Sequence, residues 1–197
     1  VNLYEEGKAK LNLRDKTAVT ITTETCYPSD EKILLKISPE TKKTFAVKLR
    51  IPAWCKNPSI EVNGKKISAE SGSDGYVVAR REWKKGDTIE LHLKLEPRLV
   101  VGDRKNEGRA AILYGPLVLA ADEALLEIKD TKLSAVGLPS ANLASLKIKP
   151  EPATGKLKTW PDAEVFRINA VASVKSETPI KIRLIPFADA GTTGTEY

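Results

Sequence analysis

Residues 45–52 read Phe-Ala-Val-Lys-Leu-Arg-Ile-Pro, and this stretch decides the fold class. Large apolar side chains at every second position alternate with small or charged ones, which is the period of a strand with one buried face. The proline lacks the amide hydrogen that a sheet ladder needs, so the strand should stop there. The same alternation recurs at Ile33, Leu35 and Ile37 and again over residues 89–95. These patterns predict β-structure.

Turn signals separate the predicted strands. Asn63-Gly64 lies between two short apolar runs within residues 60–67. Both residues tolerate positive φ, so the pattern predicts a tight β-hairpin. Gly86-Asp87 predicts another reversal, and Gly115-Pro116 should divide the apolar run 110–121 into two strands or bend it. No helix of three or more turns is indicated, although Asp122 could cap a helical turn over 122–127.

The strand pattern stops at Pro97 and restarts with Leu99. We therefore predict an all-β protein of two consecutive antiparallel β-sandwich, jelly-roll-like domains, residues 1–97 and 98–197. Residues 129–160 are rich in Ser, Pro, Gly and Lys and predict a long, loop-rich excursion of the second domain. At 197 residues the chain is long enough for each domain to bury its own core.

Composition and charge limit the classes of partner. The chain is 41% hydrophobic and 29% charged, as in ordinary globular proteins. Its net charge of +6 raises the question of an anionic partner, but 32 basic residues are interleaved with 26 acidic ones. A nucleic-acid site would need a continuous basic stripe with stacking aromatics, which the sequence lacks. No apolar run reaches the length of a membrane-spanning helix. We expect neither a nucleic-acid partner nor a membrane partner.

The two cysteines, Cys26 and Cys55, lie in different surroundings without a nearby Cys or His cluster. Zinc would need more ligands, so we expect no metal site in this chain. A disulfide between the two cysteines remains open, although ordinary thiols are favoured. The chain begins without methionine, which suggests a processed or partial protein. The compartment is undetermined, with a periplasmic or extracellular location favoured over the cytoplasm.

Catalytic signatures are missing from the sequence. The one histidine, His92, takes an outward position in an alternating strand, and no nucleophile elbow or phosphate-binding loop occurs. Paired carboxylates for glycoside hydrolysis cannot be assigned without geometry. We therefore predict no catalytic, cofactor-binding or metal-binding residue in this chain. Trp160, in the loop-rich excursion, and Tyr114 are the candidates for carbohydrate contact.

Eight short motifs together resemble one family, and they occur in its order with fitting spacing. They are VNLY at 1–4, TCYP at 25–28, LRIPAW at 49–54, VNG at 62–64, GY at 75–76, REWKKGD at 81–87, YGPLV at 114–118 and IPFADAG at 185–191. The chain resembles the C-terminal β-sandwich region of β-L-arabinofuranosidase-type enzymes, glycoside hydrolase family 127 and its relatives. The motif residues also suit structural roles, such as turns and the closure of sandwich ends.

The resemblance implies a parent enzyme with an N-terminal (α/α)6 barrel followed by two β-sandwiches. In the family, a cysteine nucleophile, a glutamate acid/base and a zinc site all lie on the barrel, and Cys26 and Cys55 match none of them. The implied function is a non-catalytic accessory region that supports the barrel of an enzyme acting on plant-type, arabinose-containing glycans. Its partner would be the enzyme's own catalytic domain. The alternative is a stand-alone carbohydrate-binding or adhesion module.

Overall fold

The computed structural model describes residues 1–125, 133–139, 148–151, 165–171 and 178–191. The chain forms two compact units, Val1–Leu95 and Glu96–Tyr197. Every paired strand in the described residues is antiparallel, and the helical turns there are short 3-10 turns. The all-β fold is therefore confirmed.

The first unit contains eight strands. They are β1 (Gly7–Asn12), β2 (Ala18–Thr25), β3 (Lys32–Pro39), β4 (Lys43–Arg50), β5 (Ser59–Val62), β6 (Lys65–Ile67), β7 (Tyr76–Trp83) and β8 (Asp87–His92). Six form one sheet in the order β1-β2-β3-β8-β5-β6, and β4 pairs with β7 in a second sheet. The nested pairs β3 with β8, β4 with β7 and β5 with β6 give the wrapped antiparallel arrangement of a jelly roll.

The two sheets of the first unit share one core. Ile33, Leu35 and Ile37 are fully buried on β3, and they belong to the same apolar cluster as Leu49 on β4 and Trp83 on β7. Successive side chains of a strand point to opposite faces, so the alternation in the sequence places one set inside and the other in water. The Trp83 indole N–H donates to the Phe45 carbonyl at 3.0 Å, which satisfies its one polar atom.

The predicted hairpin is confirmed at β5 and β6. Ile60 pairs with Ile67, and Asn63 and Gly64 have φ of 51° and 72°. Two central residues with positive φ match the twist of the flanking strands. Gly86 likewise has φ of 88° at the predicted reversal. The sequence reading missed β1, because all six of its side chains are exposed and leave no apolar alternation.

The described part of the second unit contains six strands. They are β9 (Pro97–Val101), β10 (Ala110–Tyr114), β11 (Leu117–Ala121), β12 (Lys149–Glu151), β13 (Val165–Val171) and β14 (Pro179–Pro186). They form one sheet in the order β12-β13-β14-β11-β10-β9. One face carries a core that includes Ile112, Leu119, Phe166, Ile168 and Leu184. Gly115, with φ of 54°, turns β10 into β11, so the apolar run is two strands.

The structure differs from the sequence reading at the junction of the units. Pro97, expected to close the first domain, instead begins β9 and pairs with Tyr114. A proline fits there because the first residue of an edge strand can lack a donor. The helical turn expected over 122–127 is a 3-10 turn at Glu123–Leu125. Most of the expected excursion at 129–160 lies outside the described residues.

Candidate functional site

Several of the motifs meet at one end of the first unit. Residues 1–4 run beside β4, where the Val1 ammonium donates to the Lys48 carbonyl and the Arg50 amide donates to the Val1 carbonyl at 3.1 Å. The start of the described chain is therefore held against the edge of the smaller sheet by backbone hydrogen bonds.

Two tyrosines pack inside this end. Tyr4 is 5% exposed and its hydroxyl donates to the Arg50 carbonyl at 2.7 Å. The Tyr27 ring meets the Tyr4 ring edge to face, with centroids 6.5 Å apart. Burial raises the pKa of both phenols. Neither ring is placed to exchange protons near neutral pH, so both serve packing rather than acid/base chemistry.

A third tyrosine lies on the outer face of the smaller sheet. The Tyr76 hydroxyl donates to Asn2 Oδ1 at 2.8 Å, and the Lys48 ammonium lies 5.9 Å from its ring centroid. Lys48 also pairs with Asp74 at 3.2 Å. The pKa of Asp74 is lowered, first by the hydrogen bond from the Tyr76 amide and then by Lys48. The Tyr76 ring is thus fixed by the hydrogen bond of its hydroxyl, and the Lys48 ammonium lies over one face of it.

A groove of about 550 Å³ opens beside these motifs. It lies between the end of β4 and the loop that follows β6, and the Ile51 amide ties the two by donating to the Gly75 carbonyl at 2.8 Å. Nine residues line the groove: Ile51, Cys55, Lys56, Asn57, Pro58, Ser68, Ala69, Glu70 and Ser71. The sequence reading missed this site. Its two walls are separated by the β5–β6 hairpin, and neither wall carries a chemical signature alone.

Two other motifs form a polar clasp between two turns. Asp87, only 3% exposed, accepts from the Asn63 side-chain amide at 3.0 Å and from the Lys84 backbone amide at 3.0 Å. Asn63 Oδ1 in turn accepts from the Thr88 amide at 2.8 Å. Burial works to raise the pKa of Asp87, but the two hydrogen bonds and the nearby charges of Arg81 and Lys84 together leave the pKa below its ordinary value. The clasp explains these motifs without catalysis.

Of the two predicted carbohydrate contacts, only Tyr114 lies among the described residues. Tyr114 is half-buried, and its ring centroid is 4.9 Å from that of Phe166 in the second core. A ring engaged in this way presents less of its face to a sugar than an exposed platform would. Trp160 lies outside the described residues. Carbohydrate contact by these two residues stays a prediction.

The two cysteines and the histidine lie in different surroundings. Cys26 is exposed, Cys55 is buried, and the two are not joined in a disulfide. His92 places Nε2 2.8 Å from Glu90 Oε1, on the outer face of the larger sheet. Glu90 also pairs with Lys32 at 2.7 Å, and its pKa is lowered by Lys32 first and His92 second. His92 therefore belongs to a surface ion network.

The described residues contain neither a candidate metal site nor a membrane-spanning helix. No group of three or more His, Cys, Asp or Glu side chains in those ranges could hold a metal ion. The zinc implied by the family resemblance does not fit Cys26 and Cys55, which are not gathered with further ligands. Within the same ranges, no helix is long and apolar enough to cross a membrane.

The paired sheets of the first unit define its class as an antiparallel, jelly-roll-like β-sandwich. Residues 1–95 match the sequence model of the β-L-arabinofuranosidase GH127 middle domain. The first unit is similar to this family domain, and the resemblance read from the motifs is confirmed. Among curated proteins, none is similar enough in sequence to count as a relative.

Solved structures extend the match over nearly the whole chain. A GH127 β-L-arabinofuranosidase from Geobacillus stearothermophilus T6 superposes with a TM-score of 0.77 at 24% identity, over 95% of this chain and 30% of its own. A glycoside hydrolase gives 0.79 at 24%, over 96% and 33%. A GH127 β-arabinofuranosidase gives 0.79 at 27%, over 99% and 33%. The chain thus spans about a third of the length of these structures.

Proposed function

We propose that this chain is the non-catalytic accessory region of a glycoside hydrolase of the β-L-arabinofuranosidase type. It supports an (α/α)6 catalytic barrel that belongs to the same protein and acts on arabinose-containing glycans. The chain takes no part in bond cleavage, and any zinc belongs to the barrel. About two thirds of each solved chain lies outside the match, which is enough length for such a domain.

The observation that carries the proposal is an exposed apolar patch on the outer face of the second sheet. Val100 pairs with Ala111, and Leu113 pairs with Val118 on the neighbouring strands. Val100 is 49% exposed and Val118 is 44% exposed, although both lie within strands. At the other end of this face, Leu125 packs with Val165 and Ile185 and covers the sheet. We define Val100, Ala111, Leu113 and Val118 as the outer apolar patch.

Neighbouring apolar side chains on the outer face of a sheet offer a surface against which another domain can pack. We propose that the catalytic barrel covers the outer apolar patch.

Hydrolysis of a synthetic β-L-arabinofuranoside tests whether bond cleavage requires the catalytic domain. We expect turnover by the complete enzyme and none by the 197-residue chain, each assayed with zinc and a reductant. Turnover by this chain alone would overturn the proposal.

A charge in the outer apolar patch tests the occupant. Val118→Asp should shorten the thermal half-life of the complete enzyme several-fold, because the carboxylate would be buried against the barrel without a partner. The matched control is Val78→Asp, which places the same charge at an equally exposed strand position of the first unit. In the 197-residue chain each variant should lower the free energy of unfolding by only about 1 kcal/mol, the span of strand propensities. Equal half-lives for the two complete enzymes would reject the patch as the docking face.

A further inference from the structure

The groove beside the motifs has two chemically different parts. Its floor is apolar, made of the buried Ile51 and Cys55 with the half-buried Pro58 and Ala69. Its rim is polar and exposed, made of five side chains that reach water: Lys56, Asn57, Ser68, Glu70 and Ser71. The groove, of about 550 Å³, is open to water and has room for a sugar unit.

The rim carries a mixture of donors and acceptors. Lys56 can only donate, Glu70 as a carboxylate can only accept, and Asn57 can do both. The hydroxyls of Ser68 and Ser71 also do both. A ligand that matches this rim must itself present several closely spaced groups, each able to donate and accept. Vicinal hydroxyl groups have this property.

Other ligand classes fit less well. A phosphate or a polyanion would meet one cation, Lys56, offset by one carboxylate, Glu70. A lipid or a drug-like apolar molecule would leave the five polar rim groups to be desolvated without partners, which is unfavourable. A sugar ring presents hydroxyls at its edge and C–H groups on its faces, so it can meet the rim and the floor together.

We propose that the groove lined by Ile51, Cys55, Asn57, Ser68 and Ser71 is a binding site for a neutral saccharide unit. All of its lining residues belong to the first unit, whereas the outer apolar patch belongs to the second. It would let the accessory region hold a glycan chain while another part of the protein acts on it. An open groove with a water-exposed rim suits weak binding, with a dissociation constant on the order of 1 mM.

The test is an NMR titration of the isotope-labelled 197-residue chain with arabinobiose. We expect saturable shifts of the backbone amides of Asn57, Ala69 and Ser71. Galacturonic acid, which carries a negative charge, should produce smaller shifts at the same concentrations. No saturable shift up to about 50 mM arabinobiose, or saturable shifts confined to other residues, would overturn the proposal; the range exceeds the expected dissociation constant many times over.

Paired variants separate binding from folding. Ser71→Trp should fill the groove and abolish the shifts, whereas Ser73→Trp places the same ring in the same exposed loop outside the lining. Asn57→Ala removes one rim group and should weaken binding about tenfold, a typical loss when a polar contact to the ligand is deleted. Retained saturation by Ser71→Trp, or equal loss in Ser73→Trp, would reject the groove as the site.

Discussion

The two units bury their apolar residues in different ways. In the first, a six-stranded and a two-stranded sheet contribute to one core, with Leu35 and Trp83 both fully buried in it. In the described part of the second, one sheet carries its main core on one face, and its other face keeps the outer apolar patch in water. The first unit thus encloses its core between two sheets, whereas the described sheet of the second unit has an outer face that a partner can cover.

The largest expected effect comes from opening the core of the first unit. Trp83→Ala should lower its free energy of unfolding by about 3–5 kcal/mol, through lost burial and the cavity left behind. Chemical denaturation, followed by hydrogen exchange in each unit, measures the loss and locates it. Val78→Ala on the same strand is the control and should change stability by less than about 0.5 kcal/mol. Equal loss of protection in residues 96–197 would show that the two units unfold together.

A smaller and pH-dependent effect is expected at the clasp between the two turns. Asp87→Asn keeps the shape of the side chain, but an amide nitrogen in place of Oδ2 cannot accept from the Lys84 amide. The loss at pH 7 should be about 1–2 kcal/mol, the usual cost of a buried donor without its acceptor. Denaturation at a series of pH values measures it.

The sign of the pH dependence follows from the lowered pKa of Asp87. A carboxyl whose pKa is lower in the folded state stabilises the fold above its unfolded pKa of about 3.9 and loses that contribution as the pH falls through the folded value. The wild type and Asp87→Asn should therefore converge in stability below about pH 4. A difference that stays constant down to pH 2 would mean that shape, not charge, holds the turns together.

The smallest expected effect is at a surface pair. Asp15 has a pKa lowered to about 2, chiefly by its hydrogen bond with Lys43. Lys43→Ala should return this pKa toward the ordinary value, which NMR titration of the Asp15 side chain would record. The unfolding midpoint should not change measurably, because exposed ion pairs contribute little to stability. A clear drop in the midpoint would contradict the view that the first unit is held by its core and clasp.

Sequence patterns predicted individual strands and turns better than the pairing between strands. The alternation around Leu35 and the Asn63-Gly64 pair are local signals, and the structure has a strand and a hairpin there. Strand β1 carries no such signal, because its side chains are all exposed. Its pairing with β2 depends on backbone hydrogen bonds, which any sequence supplies.

The groove could not be predicted from the sequence for a similar reason. Ile51 and Ser71 come together only because the β5–β6 hairpin folds back between them. Their residue types are common and have no fixed spacing, so no motif could be read from them. Catalytic signatures have defined residue types and spacing, so the sequence could be searched for them. The accessory role that we propose came from the motifs that resemble the family, which the match of residues 1–95 to the GH127 middle domain supports.

The order of strands in the larger sheet has a consequence for how the chain acquires its structure. Strand β3 lies between β2, its neighbour in the sequence, and β8, whose His92 stands opposite Lys32. Joining such distant residues requires closing a long loop before any contact is gained, and proteins rich in such pairings fold slowly. The centre of this sheet cannot close until the ribosome has released β8. Until then the hydrogen-bonding edge of β3 that pairs with β8 stays open.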